Sequence, residues 1–79
     1  MNELNIRTSK EFVKLLENYI EVRNISLRSF AKSVGIPHST IIVWKNKHTL
    51  PSAEYFAKIA KYMNVSIDYL VFKREEVND

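Results

Sequence analysis

The sequence predicts an all-α domain built from five helices, and three observations carry that prediction. Apolar residues recur at intervals of three and four along most of the chain, the spacing of one helix face. No segment alternates apolar and polar residues for long enough to suggest a strand. Hydroxyl residues precede the apolar segments, and Gly35 and Asn64 follow two of them, which is where helices start and stop.

The first helix is expected to start after Thr8, because Thr8-x-x-Glu11 is a capping box: the hydroxyl accepts from a free N–H and Glu11 reaches back. Phe12, Leu15, Leu16, Tyr19 and Ile20 then form one apolar stripe, and the helix should run to about Arg23 or Asn24. Ser26 caps a second helix whose inner face is Leu27, Phe30, Ala31 and Val34, and Gly35 ends it by taking the left-handed conformation. Pro37 suits the first turn of a third helix, where a missing N–H does no harm, and that helix should reach about Lys45. A loop spans Asn46 to Pro51. Ser52 caps a fourth helix with Phe56, Ile59, Ala60 and Met63 on one side, stopped at Asn64. Ser66 caps a short fifth helix from Ile67 to about Phe72. The expected organisation is an N-terminal extension over 1–8, a domain over 9–72 and a frayed tail over 73–79.

Composition narrows the function. A chain of 79 residues makes one domain and buries only about 60% of its unfolded surface, so the 46% of hydrophobic residues must pack efficiently. With no cysteine, the described chemistry of disulfides, thiolate metal sites and cysteine nucleophiles is excluded. His38 and His48 have no carboxylate at ligand spacing, so no metal is expected, and no cofactor or small-molecule ligand. No Ser-His-acid arrangement or glycine-rich phosphate loop is visible, which argues against an enzyme. The longest apolar run, Ile41–Trp44, is far short of the roughly 20 residues that span a bilayer, and the start resembles no signal peptide. A cytoplasmic protein is the expectation.

The net charge of +3 is unevenly spread. Residues 23–62 hold seven bases and one acid, whereas 1–22 carry a net −1 and 63–79 a net −2. A basic centre between acidic flanks is the footprint of a face that meets phosphate.

That centre contains the most informative stretch, Ser26 to Lys47. Ala31 supplies the small residue needed where two helices cross. Gly35, four positions later, can go left-handed, and Ile41 and Trp44 lie three apart on one face of the next helix. At 100° per residue, His38, Ser39, Ile42, Val43 and Asn46 share one side of that helix, with Thr40, Ile41 and Trp44 opposite. One face docks on the core and the other is left free, which is the layout of a helix-turn-helix.

Here the sequence resembles the Cro/CI-type (XRE) helix-turn-helix family of bacterial and phage regulators, from about Phe12 to Leu70. The resemblance is carried by Ser26, Ala31, Gly35, Ser39-Thr40-Ile41, Trp44, Asn46, Thr49-Leu50-Pro51-Ser52, Lys58-Ile59-Ala60 and Asn64 to Leu70, in order and at family spacing. It implies a lambda-repressor-like bundle of five helices with the motif at 27–46 and a recognition helix at about 37–45 in the major groove. It also implies a transcriptional regulator, expected to repress, that binds double-stranded DNA as a homodimer and is of the kind carried by prophages. Carried over by position, base reading falls on His38, Ser39 and Val43, with Ile42 beside them. Phosphate contacts fall on Leu27, Arg28, Thr40 and the segment Lys45, Asn46, Lys47, His48 and Thr49. The dimer contact would involve Tyr69, Val71 and Phe72.

The chain departs from the family pattern in three places. Leu27 stands where glutamine is common, leaving its backbone N–H with Arg28 or Ser26 to hold a phosphate. Lys47 stands where glycine often closes the third helix, so Lys47 or Asn46 must take that bend, asparagine more easily. Ile20 and Lys45 replace a pair of an arginine and an acid. Ile20 is therefore expected beside the Lys45 stem, with the ammonium in solvent. Ile42 and Val43 make the free face unusually apolar. Such side chains contact thymine methyls, which favours AT-rich and partly shape-based recognition. The rival reading is a protein-interaction adaptor or antitoxin-like module that uses the same two residues.

Overall fold

The computed structural model describes residues 5–73. Its elements are β1 (Asn5–Ile6), α1 (Ser9–Arg23), α2 (Leu27–Val34), α3 (His38–Lys47), α4 (Ala53–Met63), α5 (Ile67–Val71) and β2 (Phe72–Lys73). The fold is all-α, with the helices in the expected order.

Helix starts follow the capping residues. The Thr8 hydroxyl accepts from the Glu11 N–H at 3.1 Å, and the Thr8 N–H donates to the Glu11 carboxylate at 2.9 Å, a complete capping box. Ser26, Ser52 and Ser66 accept from the N–H groups of Ser29, Tyr55 and Tyr69 at 3.0, 3.4 and 3.1 Å. Helix ends use the left-handed conformation at Asn24, Gly35, His48 and Asn64, with φ of 56°, 83°, 54° and 58°. Glycine takes it freely, and asparagine and histidine are the side-chain-bearing residues that tolerate it best.

Two boundaries differ from expectation in α3. Pro37 stands just before the helix as its N-cap, with φ −57° and ψ 134°, and helical residues begin at His38. The residue ahead of His38 thus keeps its ring outside the helical ladder. The helix extends to Lys47, two residues beyond Lys45, and the left-handed bend falls on His48 rather than on Asn46 or Lys47.

The two short strands are a second difference. Asn5 pairs with Lys73 and Ile6 with Phe72, antiparallel. The N-terminal residues, expected as an extension, thus meet the end of the fifth helix, which stops at Val71 because Phe72 turns extended. Arg7 extends the tie: its N–H donates to the Val71 carbonyl at 2.8 Å and its guanidinium to the Tyr69 carbonyl at 3.1 and 3.3 Å. Lys73 reaches the Glu11 carboxylate at 2.7 Å, although the sequence reading assigned it to the tail. The remainder of that tail, 74–79, lies outside the described residues. The Lys73 ammonium, with the Thr8 N–H, holds the Glu11 carboxyl at about 2, well below its ordinary value of 4.5.

The core gathers Phe12, Val13, Leu16 and Ile20 of α1, Phe30 and Ala31 of α2, Ile36, Ile41 and Trp44 of the turn and α3, Phe56, Ile59 and Ala60 of α4, and Leu70 of α5. Phe12 is its hinge point, edge-on to Trp44 at 6.0 Å and to Phe56 at 5.2 Å between ring centroids. Among the described residues no helix is long and apolar enough to cross a membrane.

Candidate nucleic-acid interface

The turn between α2 and α3 is fixed from three sides. Both the Gly35 and Ile36 N–H groups donate to the Ala31 carbonyl, at 2.9 and 3.0 Å, which closes α2. Ile36 is then buried and anchors the turn in the core. The Lys58 ammonium of α4 reaches the Gly35 carbonyl at 3.4 Å, placing a cation at the negative end of α2. A Cβ on Gly35 would meet nothing within 4 Å, so glycine is needed there for its backbone angle and not for space.

The turn hands α3 to the core by one side only. Ile41 and Trp44 are buried, at 2% and 4% exposure, and Trp44 packs against Phe12 of α1 and Tyr55 of α4. The opposite side carries His38, Ser39, Ile42, Val43 and Asn46. Ser39, Val43 and Asn46 are exposed, and His38 and Ile42 are half-buried. Val43 is 41% exposed, as is Leu50 in the following loop, so the free face is apolar at its centre. Thr40 is half-buried at the edge, its N–H bonded to the Pro37 carbonyl at 3.0 Å. Arg28, Lys45, Asn46, Lys47, His48 and Thr49 are all exposed.

Leu27, expected at phosphate, behaves differently from the rest. The Leu27 side chain packs against the core, so what it offers outward is its backbone N–H alone. The Ser26 hydroxyl accepts from the Ser29 N–H and keeps its own O–H as a donor. Arg28, on the exposed first turn, remains as the charged group of that helix end.

Lys45 corrects another expectation. Its ammonium is at the surface as expected but is not unpartnered: it pairs with the Glu17 carboxylate of α1 at 3.3 Å. Glu17 lies one turn before the buried Ile20, so the acid is on α1 and the base on α3. The sequence expectation concerned Ile20 beside the Lys45 stem and gave the ammonium no partner, so Glu17 was missed. Arg7 was missed as well, because its partners are the backbone carbonyls of Tyr69 and Val71, at the far end of the domain.

The three residues expected at a dimer contact lie around the strand tie. Tyr69 is 50% exposed, with the Arg7 guanidinium over its ring. Val71 packs on the core, and Phe72 pairs with Ile6. Beside Tyr69 opens a shallow groove of about 200 Å³ lined by Leu15, Tyr19, Val22 and Met63 among others. Among the described residues no group of three or more His, Asp or Glu is placed to hold a metal ion.

A helix-turn-helix family model matches residues 16–70. No curated protein matches the chain. The solved structure of a transcriptional regulator from Listeria innocua is similar, with a TM-score of 0.64 and 25% identity over 86% of this chain. The chain spans 64% of that protein's length. The family match covers the turn at Gly35, the core anchors Ile41 and Trp44, and all of α2 to α4, the elements that set the free face of α3. The chain belongs to the helix-turn-helix family of DNA-binding regulators, of the Cro/CI (XRE) type.

Proposed function

We propose that the chain is a sequence-specific regulator that lays α3 in the major groove of double-stranded DNA and represses by occupying its site. The observation that carries this is the two-sidedness of α3: Ile41 and Trp44 hold it to the core, while His38, Ser39, Ile42, Val43 and Asn46 are left outward. On the helix wheel Lys45 and Lys47 flank that face, about 200° apart measured across it, so the two lysines straddle the base-reading residues. A groove presents phosphate on both walls and base edges between them, which is the matching order.

In this reading His38 and Ser39 hydrogen-bond base edges, and Ile42 and Val43 contact thymine methyls. The phosphate set is Arg28, Thr40, Lys45, Asn46, Lys47, His48 and Thr49 with the Leu27 N–H. Two copies, joined near Tyr69, Val71 and Phe72, would read half-sites about 34 Å apart. The exposed Tyr69, Ile67 and Val22 support a contact there, at 50%, 46% and 71% exposure. Selection of bound duplexes from a random pool tests the reading. It predicts an enriched AT-rich motif with two-fold symmetry, and Ser39→Ala is expected to shift that motif. A pool that shows no enrichment contradicts it. The apolar centre formed by Ile42 and Val43 favours one second reading, a protein partner on the same face. A monodisperse complex with a protein and no DNA binding at low salt would select it.

A further inference from the structure

We propose that Glu17 limits the DNA affinity of the α3 face by holding the Lys45 ammonium away from phosphate. The inference rests on the DNA-binding reading above. Lys45 and Glu17 meet at 3.3 Å with their side chains 53% and 52% exposed, so the pair is formed at the surface, on the flank where α1 abuts α3. The two lysines that flank the free face are therefore not equivalent. Lys45 has an intramolecular carboxylate, whereas among the described residues no ion pair involves Lys47.

A phosphate arriving at the Lys45 side meets a cation whose charge is already balanced, and a carboxylate beside it. Two costs follow. The existing pair must be given up, and Glu17 is left facing the DNA backbone without its partner. Both are modest, because the pair is half-exposed and screened by salt. Together they amount to no more than a few-fold in affinity. The Lys45 contact also yields less counterion release than a free lysine would, since the ammonium trades one anion for another. Glu17 thus sets an upper limit on sequence-independent binding and leaves the discrimination by His38 and Ser39 a larger share of the total.

The test is a double-mutant cycle read by fluorescence anisotropy on a labelled random-sequence duplex across a salt series, with Glu17→Gln, Lys45→Ala, both together, and Glu21→Gln as a charge control. Glu21 is exposed on the same helix and carries the same charge without an ion pair to Lys45. The expected result is about two- to fivefold tighter binding for Glu17→Gln, a steeper salt dependence, and a smaller gain for Glu21→Gln. In the Lys45→Ala background, Glu17→Gln should give a smaller gain, about that of Glu21→Gln, because only the direct repulsion of phosphate is left to relieve. Equal gains from Glu17→Gln and Glu21→Gln, no gain, or weaker binding by Glu17→Gln would each overturn the proposal while leaving the DNA-binding reading intact. A wild-type chain that fails to bind the duplex at low salt would overturn both.

Discussion

Trp44 and Ser39 sit on opposite sides of one helix, and substitutions there should separate building from reading. Trp44 is 4% exposed and touches Phe12 and Tyr55, so Trp44→Ala removes a large buried side chain and is expected to cost about 3–5 kcal/mol. A domain of this size has about 4–12 kcal/mol in total, so a urea melt should show a large fraction of the stability gone. Ser39 is exposed, and Ser39→Ala should leave the melt within about 0.5 kcal/mol of wild type while changing which sequences bind. Lys47→Ala should weaken all sequences alike and lower the slope of log K against log salt by about 0.9, measured by anisotropy. The two sides of α3 were legible in the sequence because helical spacing assigns a side to every residue of the helix. The Glu17–Lys45 pair was not, since it depends on how α1 and α3 cross.

Helix ends decide the shape of the motif, and they are the elements read best and worst. Every start follows a hydroxyl cap at Thr8, Ser26, Ser52 or Ser66, except α3, where Pro37 offers no side-chain acceptor. The close of α3 was misplaced because three candidates, Asn46, Lys47 and His48, follow one another and propensity favours asparagine. The helix instead runs on until Asn46 and Lys47 are both helical, leaving His48 at φ 54°. His48→Gly should therefore stabilise the chain by up to about 1 kcal/mol in a denaturant melt, and Gly35→Ala should cost about 1–2 kcal/mol through its angle alone. The strand tie was invisible for a simpler reason: two residues per strand have no period to detect. Its ion pair should give a pH signature. Folding holds the Glu11 carboxyl down to about 2 from 4.5, so its contribution is complete above pH 4.5 and is lost as pH falls towards 2. Thermal melts of wild type should drop across that window more than those of Lys73→Ala, and equal drops would remove the ion pair from the explanation.

At the scale of the molecule, charge and shape act together. The bases between Arg23 and Tyr62 surround a motif whose core anchors are apolar and whose outward face carries little hydrogen-bonding capacity beyond His38, Ser39 and Asn46. Phosphate contacts should then supply most of the affinity, and a single domain of this size makes few of them, which is why two copies on one site are proposed. Sedimentation with an operator-length duplex should give two chains per duplex, and Tyr69→Ala should reduce this to one without lowering the melting temperature. The most direct test of the central claim is anisotropy of a labelled duplex titrated with the full chain at about 50 mM and about 200 mM salt. The account predicts saturable binding at the lower salt, lost steeply at the higher, and weakened by Lys47→Ala. Absence of binding at the lower salt, or binding that Lys47→Ala leaves unchanged, would contradict it.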